Sequence, residues 1–135
     1  MAASIGVYVV DDHDLVRAAL VRRLQTTPEL MVVGQSASVE LARAEIAAQR
    51  PDVVLLETKR ADGRGFELLN WVLLAAPAAR AVVLTSYASE WERWAAMRAG
   101  AAGYALKDID TAQLLAQIRA AAAAPRLAPT LPASL

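Results

Sequence analysis

Five short apolar runs alternate along the chain with five segments of helical periodicity, and this alternation limits the fold more than any other feature. Four of the runs contain adjacent β-branched residues without polar alternation, which is typical of strands buried on both faces. Between the runs, apolar residues recur at helical spacing, as in Val16, Ala19, Leu20 and Leu24. The pattern predicts a parallel sheet with helices on both faces. The predicted strands cover residues 5–10, 31–36, 53–57, 81–86 and 103–107.

The number of strand–helix units defines the fold class more closely. Five units in a chain of 135 residues suit an α/β, flavodoxin-like, doubly wound sheet with strand order 2-1-3-4-5. We expect this domain to cover residues 1–124. Residues 125–135 contain three prolines among small residues, and we predict a linker or frayed tail there, with no output domain present.

Composition excludes several classes of function. The 14 basic and 14 acidic residues balance, so bulk charge does not favour direct binding of nucleic acid or of an anionic membrane. The chain has no cysteine, which excludes thiolate metal sites and thiol nucleophiles. No apolar stretch is long enough to span a bilayer, and the N-terminus lacks the features of a signal peptide. We therefore expect a cytoplasmic location and no membrane partner.

Polar side chains follow four of the five predicted strands. Asp11 and Asp12 follow the first strand, Glu57 ends the third, Thr85 ends the fourth and Lys107 ends the fifth. In open parallel sheets, ligands bind at the carboxyl ends of the strands. We expect these side chains to converge on one crevice.

Five sequence blocks carry or flank these residues. They are VVDDHDLVRAAL (9–20), PDVVLLE (51–57), DGRGFELL (62–69), VVLTSYAS (82–89) and AGAAGYALKDI (99–109). In this order they resemble a response-regulator receiver domain, more narrowly one of the LuxR or NarL type. The resemblance extends from residue 5 to about residue 122, which is nearly all of the predicted domain.

The resemblance implies a magnesium site and a phosphoacceptor. In such receivers the acidic pair, here Asp11 and Asp12, holds the ion. The ion also binds an aspartate at the end of the third strand, here Glu57, and the backbone carbonyl two residues later, here Lys59. That aspartate takes a phosphoryl group from a histidine kinase.

The resemblance also implies a set of switch residues. The hydroxyl at Thr85 and the ammonium at Lys107 are expected to bind the phosphoryl oxygens. An aromatic side chain at the position of Tyr104 changes rotamer with the state of Thr85. Phosphoryl transfer requires positively charged groups next to the oxygens of the transferring phosphoryl group, because those oxygens carry negative charge.

Glu57 departs from this pattern because receivers have aspartate at the acceptor position. One extra methylene moves the carboxylate by about 1.5 Å, the length of a carbon–carbon bond. A nucleophile misplaced by that distance transfers the phosphoryl group much more slowly. We expect Glu57 to be a poor phosphoacceptor or none. Its longer side chain would bring the carboxylate close to Thr85 and Lys107, as a mimic of phosphoaspartate. The alternative is that Glu57 only keeps a polar strand end solvated.

The loop after Glu57 departs from the pattern as well. Receivers usually have an apolar residue and a proline before the Asp-Gly pair, and this chain has Arg60 and Ala61. Without the proline the loop backbone should be freer. Because that backbone would supply a ligand to the ion, these residues argue against magnesium binding even though Asp11 and Asp12 are present.

Three other residues bear on function. His13 is the single histidine, so a site built from two histidines is excluded, and we interpret it as a residue at the rim of the crevice. Trp91 and Trp94 lie one helical turn apart among charged residues. Exposed aromatic residues beside charges are typical of protein interfaces. We therefore predict an interface role for this pair.

The leading hypothesis is an atypical receiver, not an enzyme, that acts without phosphorylation as a regulatory and dimerisation module. We expect it to form a homodimer and to belong to a DNA-binding transcription regulator that contacts DNA through an output domain outside this chain. One alternative is a working magnesium-dependent receiver with a histidine kinase partner. Others are a stand-alone protein-binding or small-molecule-binding module, and a metal hydrolase built on the carboxylates.

Overall fold

Five strands and five helices alternate strictly in the computed structural model, which describes residues 4–76 and 78–125. The strands are β1 (Ile5–Val10), β2 (Leu30–Ser36), β3 (Val53–Leu56), β4 (Arg80–Thr85) and β5 (Gly103–Leu106). The helices are α1 (Asp14–Gln25), α2 (Val39–Gln49), α3 (Gly65–Ala75), α4 (Glu90–Ala99) and α5 (Thr111–Ala123). The predicted tail lies outside the described residues except for Pro125.

The strands form one parallel sheet in the order β2-β1-β3-β4-β5, which confirms the predicted flavodoxin-like fold. β1 and β3 are central, and β1 pairs Val7 with Val53 and Val10 with Leu56. Parallel pairing places the carboxyl ends of all five strands at one edge of the sheet. The order reverses direction after β1, so the crevice beside β1 and β3 is where such folds bind ligands.

Alternating strand side chains supply two separate hydrophobic cores. Side chains such as Tyr8, Val54 and Val83 pack under α2, α3 and α4. Their neighbours, including Val9 and Leu55, pack under α1 and α5 with Leu24 and Ile118. Because both faces are covered there, the interior strands β1 and β3 are apolar along their whole length, as the sequence predicts, whereas the edge strand β2 exposes Met31 and Gln35.

The buried face of α1 differs from the predicted one. Leu20 and Leu24 are buried as expected, but Val16 and Ala19 are exposed and Val21 is buried in their place. Val16 lies in the first turn of the helix, and the buried stripe begins one turn later at Leu20.

Short polar caps start the helices that follow β2, β4 and β5. Ser38, Ser89 and Asp110 accept hydrogen bonds from the backbone N–H groups of the third residue after them. Such caps satisfy donors that the helix itself leaves unpaired. Among the described residues, no helix combines the length and apolar character needed to cross a membrane.

Candidate functional site

The carboxyl edge of the sheet brings together the polar residues predicted from the strand ends. Asp11 follows β1, Glu57 follows β3, Thr85 ends β4 and Lys107 follows β5. All four side chains are buried or nearly so, with Asp11 only 2% exposed and Glu57 only 4% exposed. The convergence that the sequence predicts is therefore present.

A buried ion-pair cluster forms the centre of this site. The Lys107 Nζ atom lies 2.6 Å from Oδ2 of Asp11 and 3.0 Å from Oε1 of Glu57. Two carboxylates at this depth would repel each other and lose hydration, and the ammonium between them offsets both effects. The three side chains therefore depend on one another for charge neutralisation.

The second oxygen of Glu57 is also occupied. Oε2 accepts a hydrogen bond of 3.1 Å from the backbone N–H of Lys59. Each carboxylate oxygen of Glu57 thus faces a donor or a positive charge. The glutamate is directed into the site toward Lys107 and is not a solvated strand end.

Thr85 is close by in the sheet but pairs elsewhere. Its hydroxyl Oγ1 lies 3.3 Å from both the backbone N–H and the carbonyl of Tyr87. The backbone N–H of Lys107 donates to the Thr85 carbonyl at 2.9 Å. The hydroxyl stabilises the turn after β4 and makes no hydrogen bond to Glu57.

The loop between β3 and α3 is held firmly, contrary to the expectation that losing the proline would free it. Arg60 is 8% exposed, and its guanidinium bonds the carbonyl of Ala37 at 2.6 Å and both carboxylate oxygens of Asp62. At the far end of the loop, a Cβ atom at Gly65 would lie 2.0 Å from the Thr58 carbonyl oxygen. Only glycine allows α3 to start that close to the loop backbone.

The resemblance to receivers implies that the acidic pair and Glu57 hold magnesium, whereas the residues Arg60 and Ala61 were expected to disfavour it. Asp11, Asp12 and His13 each offer a ligand atom, and these atoms lie within 4.8 Å of one another. However, the ammonium of Lys107 lies between Asp11 and Glu57, and Oδ2 of Asp12 accepts a 2.8 Å hydrogen bond from the Ala61 N–H. Magnesium requires near-octahedral oxygen ligands at about 2.0–2.1 Å. The arrangement does not fit an ion shared by Asp11, Asp12 and Glu57.

His13 lies at the rim of the site, as interpreted from the sequence. Its side chain is largely exposed, and Nδ1 lies 3.3 Å from Oδ1 of Asp12 and 3.5 Å from Oδ1 of Asp11. The backbone N–H of His13 donates to Asp11 at 3.0 Å. The residue closes the turn from β1 into α1.

Two arginines of α1 hold the backbone of the site, and the sequence reasoning missed both. Arg17 donates to the carbonyl of Asp11 at 2.7 Å. Arg23 donates to the carbonyls of Lys107 and Ile109, at 3.0 Å and 2.5 Å. Their positions on a helix that follows the acidic pair were visible, but helical spacing does not show which loops a long side chain reaches.

A second polar cluster joins the β3–α3 loop to α4. The Lys59 ammonium donates to the Tyr87 carbonyl at 2.6 Å and lies 3.9 Å from Oε2 of Glu92. Oε1 of Glu92 accepts a 3.0 Å hydrogen bond from the Tyr104 hydroxyl, which itself accepts one from the Ser89 N–H. Burial, followed by the hydrogen bond to Glu92, raises the pKa of Tyr104. Tyr104 therefore pairs with Glu92 and not with Thr85.

Glu92 is another residue that sequence reasoning missed, although a signal existed. It is buried on the face of α4 that packs against the sheet. The buried residue Ala96 lies four positions later, which puts both residues on one helical face. That spacing could have identified Glu92 as a buried acid in need of a partner.

The outer face of α4 carries the two tryptophans predicted as interface residues. Trp91 is 71% exposed and Trp94 is 58% exposed, with the guanidinium of Arg98 lying 5.3 Å from the Trp94 ring centroid. Tyr87, in the preceding turn, is also exposed. By contrast, Trp71 on α3 is half-buried and packs against the core under α2, α3 and α4.

Comparisons with known proteins identify the family of this chain. Residues 7–119 match the family model described as the response regulator receiver domain. The chain is 43% identical over 115 residues to the DNA-binding transcriptional activator DevR/DosR of Mycobacterium tuberculosis, covering 85% of this chain and 53% of that protein. It is 36% identical over 115 residues to the response regulator GacA of Pseudomonas syringae, covering 85% of this chain and 54% of that protein.

Two solved structures share the fold closely. The receiver domain of the response regulator NarL from Mycobacterium tuberculosis has a TM-score of 0.82 at 27% identity, with 90% of this chain and 98% of that chain covered. A LuxR-family response regulator from Aurantimonas has a TM-score of 0.83 at 28% identity, with 94% and 91% covered. The chain spans about half the length of the curated relatives it matches. Sequence, fold and site together place this chain in the response-regulator receiver domain family.

Proposed function

We propose that this receiver works without phosphorylation, as the regulatory module of a DNA-binding transcription regulator. Glu57 stands at the position where receivers carry the phosphoaccepting aspartate. The DNA-binding part of the proposal comes from DevR/DosR, which is named as a DNA-binding transcriptional activator. Any contact with DNA would be made by an output domain outside this chain.

The contact between Glu57 and Lys107 is the observation that carries this proposal. Oε1 of Glu57 lies 3.0 Å from the ammonium, and Oε2 is hydrogen-bonded to the Lys59 N–H. A phosphoacceptor needs a free oxygen aligned with the leaving group and a cation on the phosphoryl oxygens. Here the lysine that would bind those oxygens already binds the glutamate.

The same contact supports a role for Glu57 as a mimic of phosphoaspartate. The buried carboxylate provides Lys107 with the negative charge that a phosphoryl group would otherwise provide. Two unit charges about 4 Å apart interact by around 4 kcal/mol at an effective dielectric constant of 20, before the cost of desolvation. An interaction of that size is large enough to bias a switch without a kinase.

Acetyl phosphate with MgCl2, followed by intact mass measurement, tests the proposal directly. We expect no adduct on the wild-type chain and an adduct of about 80 Da, the mass of one phosphoryl group, on Glu57→Asp. The Glu57→Gln variant is the matched control and should stay unmodified. A wild-type adduct that disappears in Glu57→Gln would refute the proposal and favour the competing function, a phosphoacceptor that works at Glu57.

We further propose that the outer face of α4 is the surface through which two copies of this chain associate. The exposure of Trp91 and Trp94 supports this role, because large aromatic side chains at the centre of an interface contribute much of its binding energy. If Glu57 mimics phosphoaspartate, Glu57→Gln should shift the sedimentation profile toward monomer. An identical dimer fraction in both proteins would mean that the glutamate is inert.

A further inference from the structure

Arg60 is a buried cation at the edge of the site, and its contacts reach two loops. The guanidinium donates to the Ala37 carbonyl in the loop between β2 and α2, at 2.6 Å. It also donates two hydrogen bonds to the Asp62 carboxylate, of 3.0 and 3.1 Å. Nε and Nη2 are paired in this way, whereas Nη1 is buried and has no hydrogen-bond partner among the described residues. Because a buried guanidinium is costly when its donors are unpaired, losing the contacts of Nε and Nη2 would be unfavourable, and these contacts restrict the loop.

The backbone on either side of Arg60 supplies hydrogen bonds to the acids of the site. The N–H of Lys59, one residue before it, donates to Glu57 at 3.1 Å. The N–H of Ala61, one residue after it, donates to Asp12 at 2.8 Å. These N–H groups belong to the peptide units 58–59 and 60–61, which are connected through residues 59 and 60. Their relative direction therefore depends on the backbone conformation at Lys59 and at Arg60, and the Arg60 side chain restrains that stretch.

Asp62 extends the same restraint to the start of α3. Its Oδ1 accepts hydrogen bonds from Nε of Arg60 and from the backbone N–H of Arg64, the latter at 2.9 Å. The loop is therefore pinned at Ala37, at Asp62 and at the close approach of Gly65 to Thr58. Proline commonly stiffens a loop by fixing one backbone angle, and here side-chain hydrogen bonds hold the loop.

We propose that Arg60 is a positioning residue that holds this loop so that two backbone N–H groups bind the acids a divalent cation would otherwise bind. The two amide donors and the Lys107 ammonium together engage oxygen atoms of Asp11, Asp12 and Glu57. Arg60 thereby lowers the affinity of the acidic pair for Mg²⁺. The inference concerns the loop and does not depend on whether Glu57 accepts a phosphoryl group.

Amide hydrogen exchange measured residue by residue by NMR tests the positioning role. In Arg60→Ala, the amides of Lys59 and Ala61 should exchange about tenfold faster, because local opening of the loop becomes easier. Arg60→Lys should give an intermediate rate, since an ammonium cannot reproduce the fork of a guanidinium. Arg64→Ala is the matched control, because that side chain pairs at the surface with Glu40 and Glu67.

A titration with MgCl2, followed by the same amide signals, tests the second half of the proposal. The dissociation constant for Mg²⁺ should fall about fivefold or more in Arg60→Ala and stay at the wild-type value in Arg64→Ala. Both variants lose one positive charge, so the net charge of the chain is matched between them. Arg60→Lys keeps the charge beside the site, and a fall in its dissociation constant would therefore report the loop and not the loss of local charge.

Two results would overturn the proposal. One is wild-type exchange at Lys59 and Ala61 in a folded Arg60 variant, and the other is an acceleration of equal size throughout the sheet. Arg60→Lys decides the matter by the same criteria if Arg60→Ala does not fold. A phosphoryl adduct on the wild-type chain would refute the proposed function and leave these exchange rates unaffected.

Discussion

The carboxyl edge of the sheet and the outer face of α4 differ in which side chains they bury and which they expose. At the sheet edge, Asp11, Glu57 and Lys107 are buried and satisfy one another's charge. On α4, Trp91 and Trp94 expose large apolar rings to solvent. Folded monomers usually do the reverse, with rings inside and charges outside.

The contrast separates stability from recognition in this receiver. Buried charges that neutralise one another contribute to the folded state only as a set, since removal of one leaves the others unpaired. Exposed rings contribute little to the isolated domain and become stabilising when a partner covers them. Substitutions in the two regions should therefore have effects of very different size.

Removing the ammonium at the centre of the site should cause the largest loss of stability. In Lys107→Met, Asp11 and Glu57 remain buried without a cation, and breaking a buried ion pair in this way costs about 3–5 kcal/mol. Urea unfolding at neutral pH measures the loss. The double variant with Glu57→Gln should recover part of it, because one buried negative charge is then gone.

Lys59→Met is the matched control for that experiment. The Lys59 ammonium is partly exposed, donates to the Tyr87 carbonyl and lies 3.9 Å from the buried carboxylate of Glu92, so its loss should cost about 1–3 kcal/mol, less than the loss of Lys107. Equal losses in the two lysine variants would show that burial of the ion-pair cluster does not increase the contribution of Lys107 to the free energy of unfolding.

Glu92 lies between the two regions, and its removal should have an intermediate effect. The carboxylate is buried on the inner face of α4 and accepts the hydrogen bond of Tyr104, so Glu92→Ala should cost about 1–3 kcal/mol. The exposed neighbour Glu90 is the control, with an expected change within about 0.5 kcal/mol for Glu90→Ala.

A spectroscopic titration of Tyr104 gives a second measure of the same variant. Burial and the hydrogen bond to Glu92 raise the pKa of the Tyr104 hydroxyl. In Glu92→Ala the pKa should therefore move back toward the ordinary tyrosine value. A pKa of Tyr104 that stays where it is in the wild-type chain would show that Glu92 does not hold the hydroxyl.

Sequence patterns predicted the sheet and the convergence of the strand ends because both follow from periodicity and from parallel topology. The strand order and the burial of Leu20 and Leu24 followed from the same reasoning. The roles of Arg60 and Glu92 could not be predicted in this way. Loop composition indicates freedom when a proline is lost, but it does not show that an arginine side chain folds back and restores the restraint.

Acidification should weaken the hydrogen bonds by which Arg60 restrains its loop, with a smaller effect on stability than the substitutions of Lys107 and Glu92. The hydrogen bond from Arg60, with help from the Arg64 N–H, lowers the pKa of Asp62 below its usual range. A carboxyl whose pKa is lowered by folding contributes stability above its unfolded pKa of about 3.9 and loses that contribution as the pH falls through the folded value. Exchange at Lys59 and Ala61 should therefore accelerate below about pH 4 relative to sheet amides.

The Asp62→Asn variant isolates this contribution. An asparagine cannot gain the proton, so the extra acceleration of Lys59 and Ala61 at low pH should disappear in that variant. A carbon-13 titration of the Asp62 carboxyl group gives the folded pKa independently. An ordinary value there would contradict the proposed grip of Arg60.

The smallest effect on stability is expected at Trp91. The size of that effect shows whether the ring is an exposed residue of the α4 face or part of the core. Trp91→Ala should change the free energy of unfolding by no more than about 0.5 kcal/mol, because the exposed ring contributes little to the core. Trp94→Ala should cost about 0.5–1 kcal/mol, since it also removes the stacking of Arg98. Trp71→Ala, in a half-buried site against the core, should cost more than either.

Sedimentation velocity should show the opposite order, with weaker self-association in the two α4 variants and none of that change in Trp71→Ala. If Trp91→Ala destabilised the chain as much as Trp71→Ala does, the ring would be part of the core and α4 would have no free aromatic face to offer a partner.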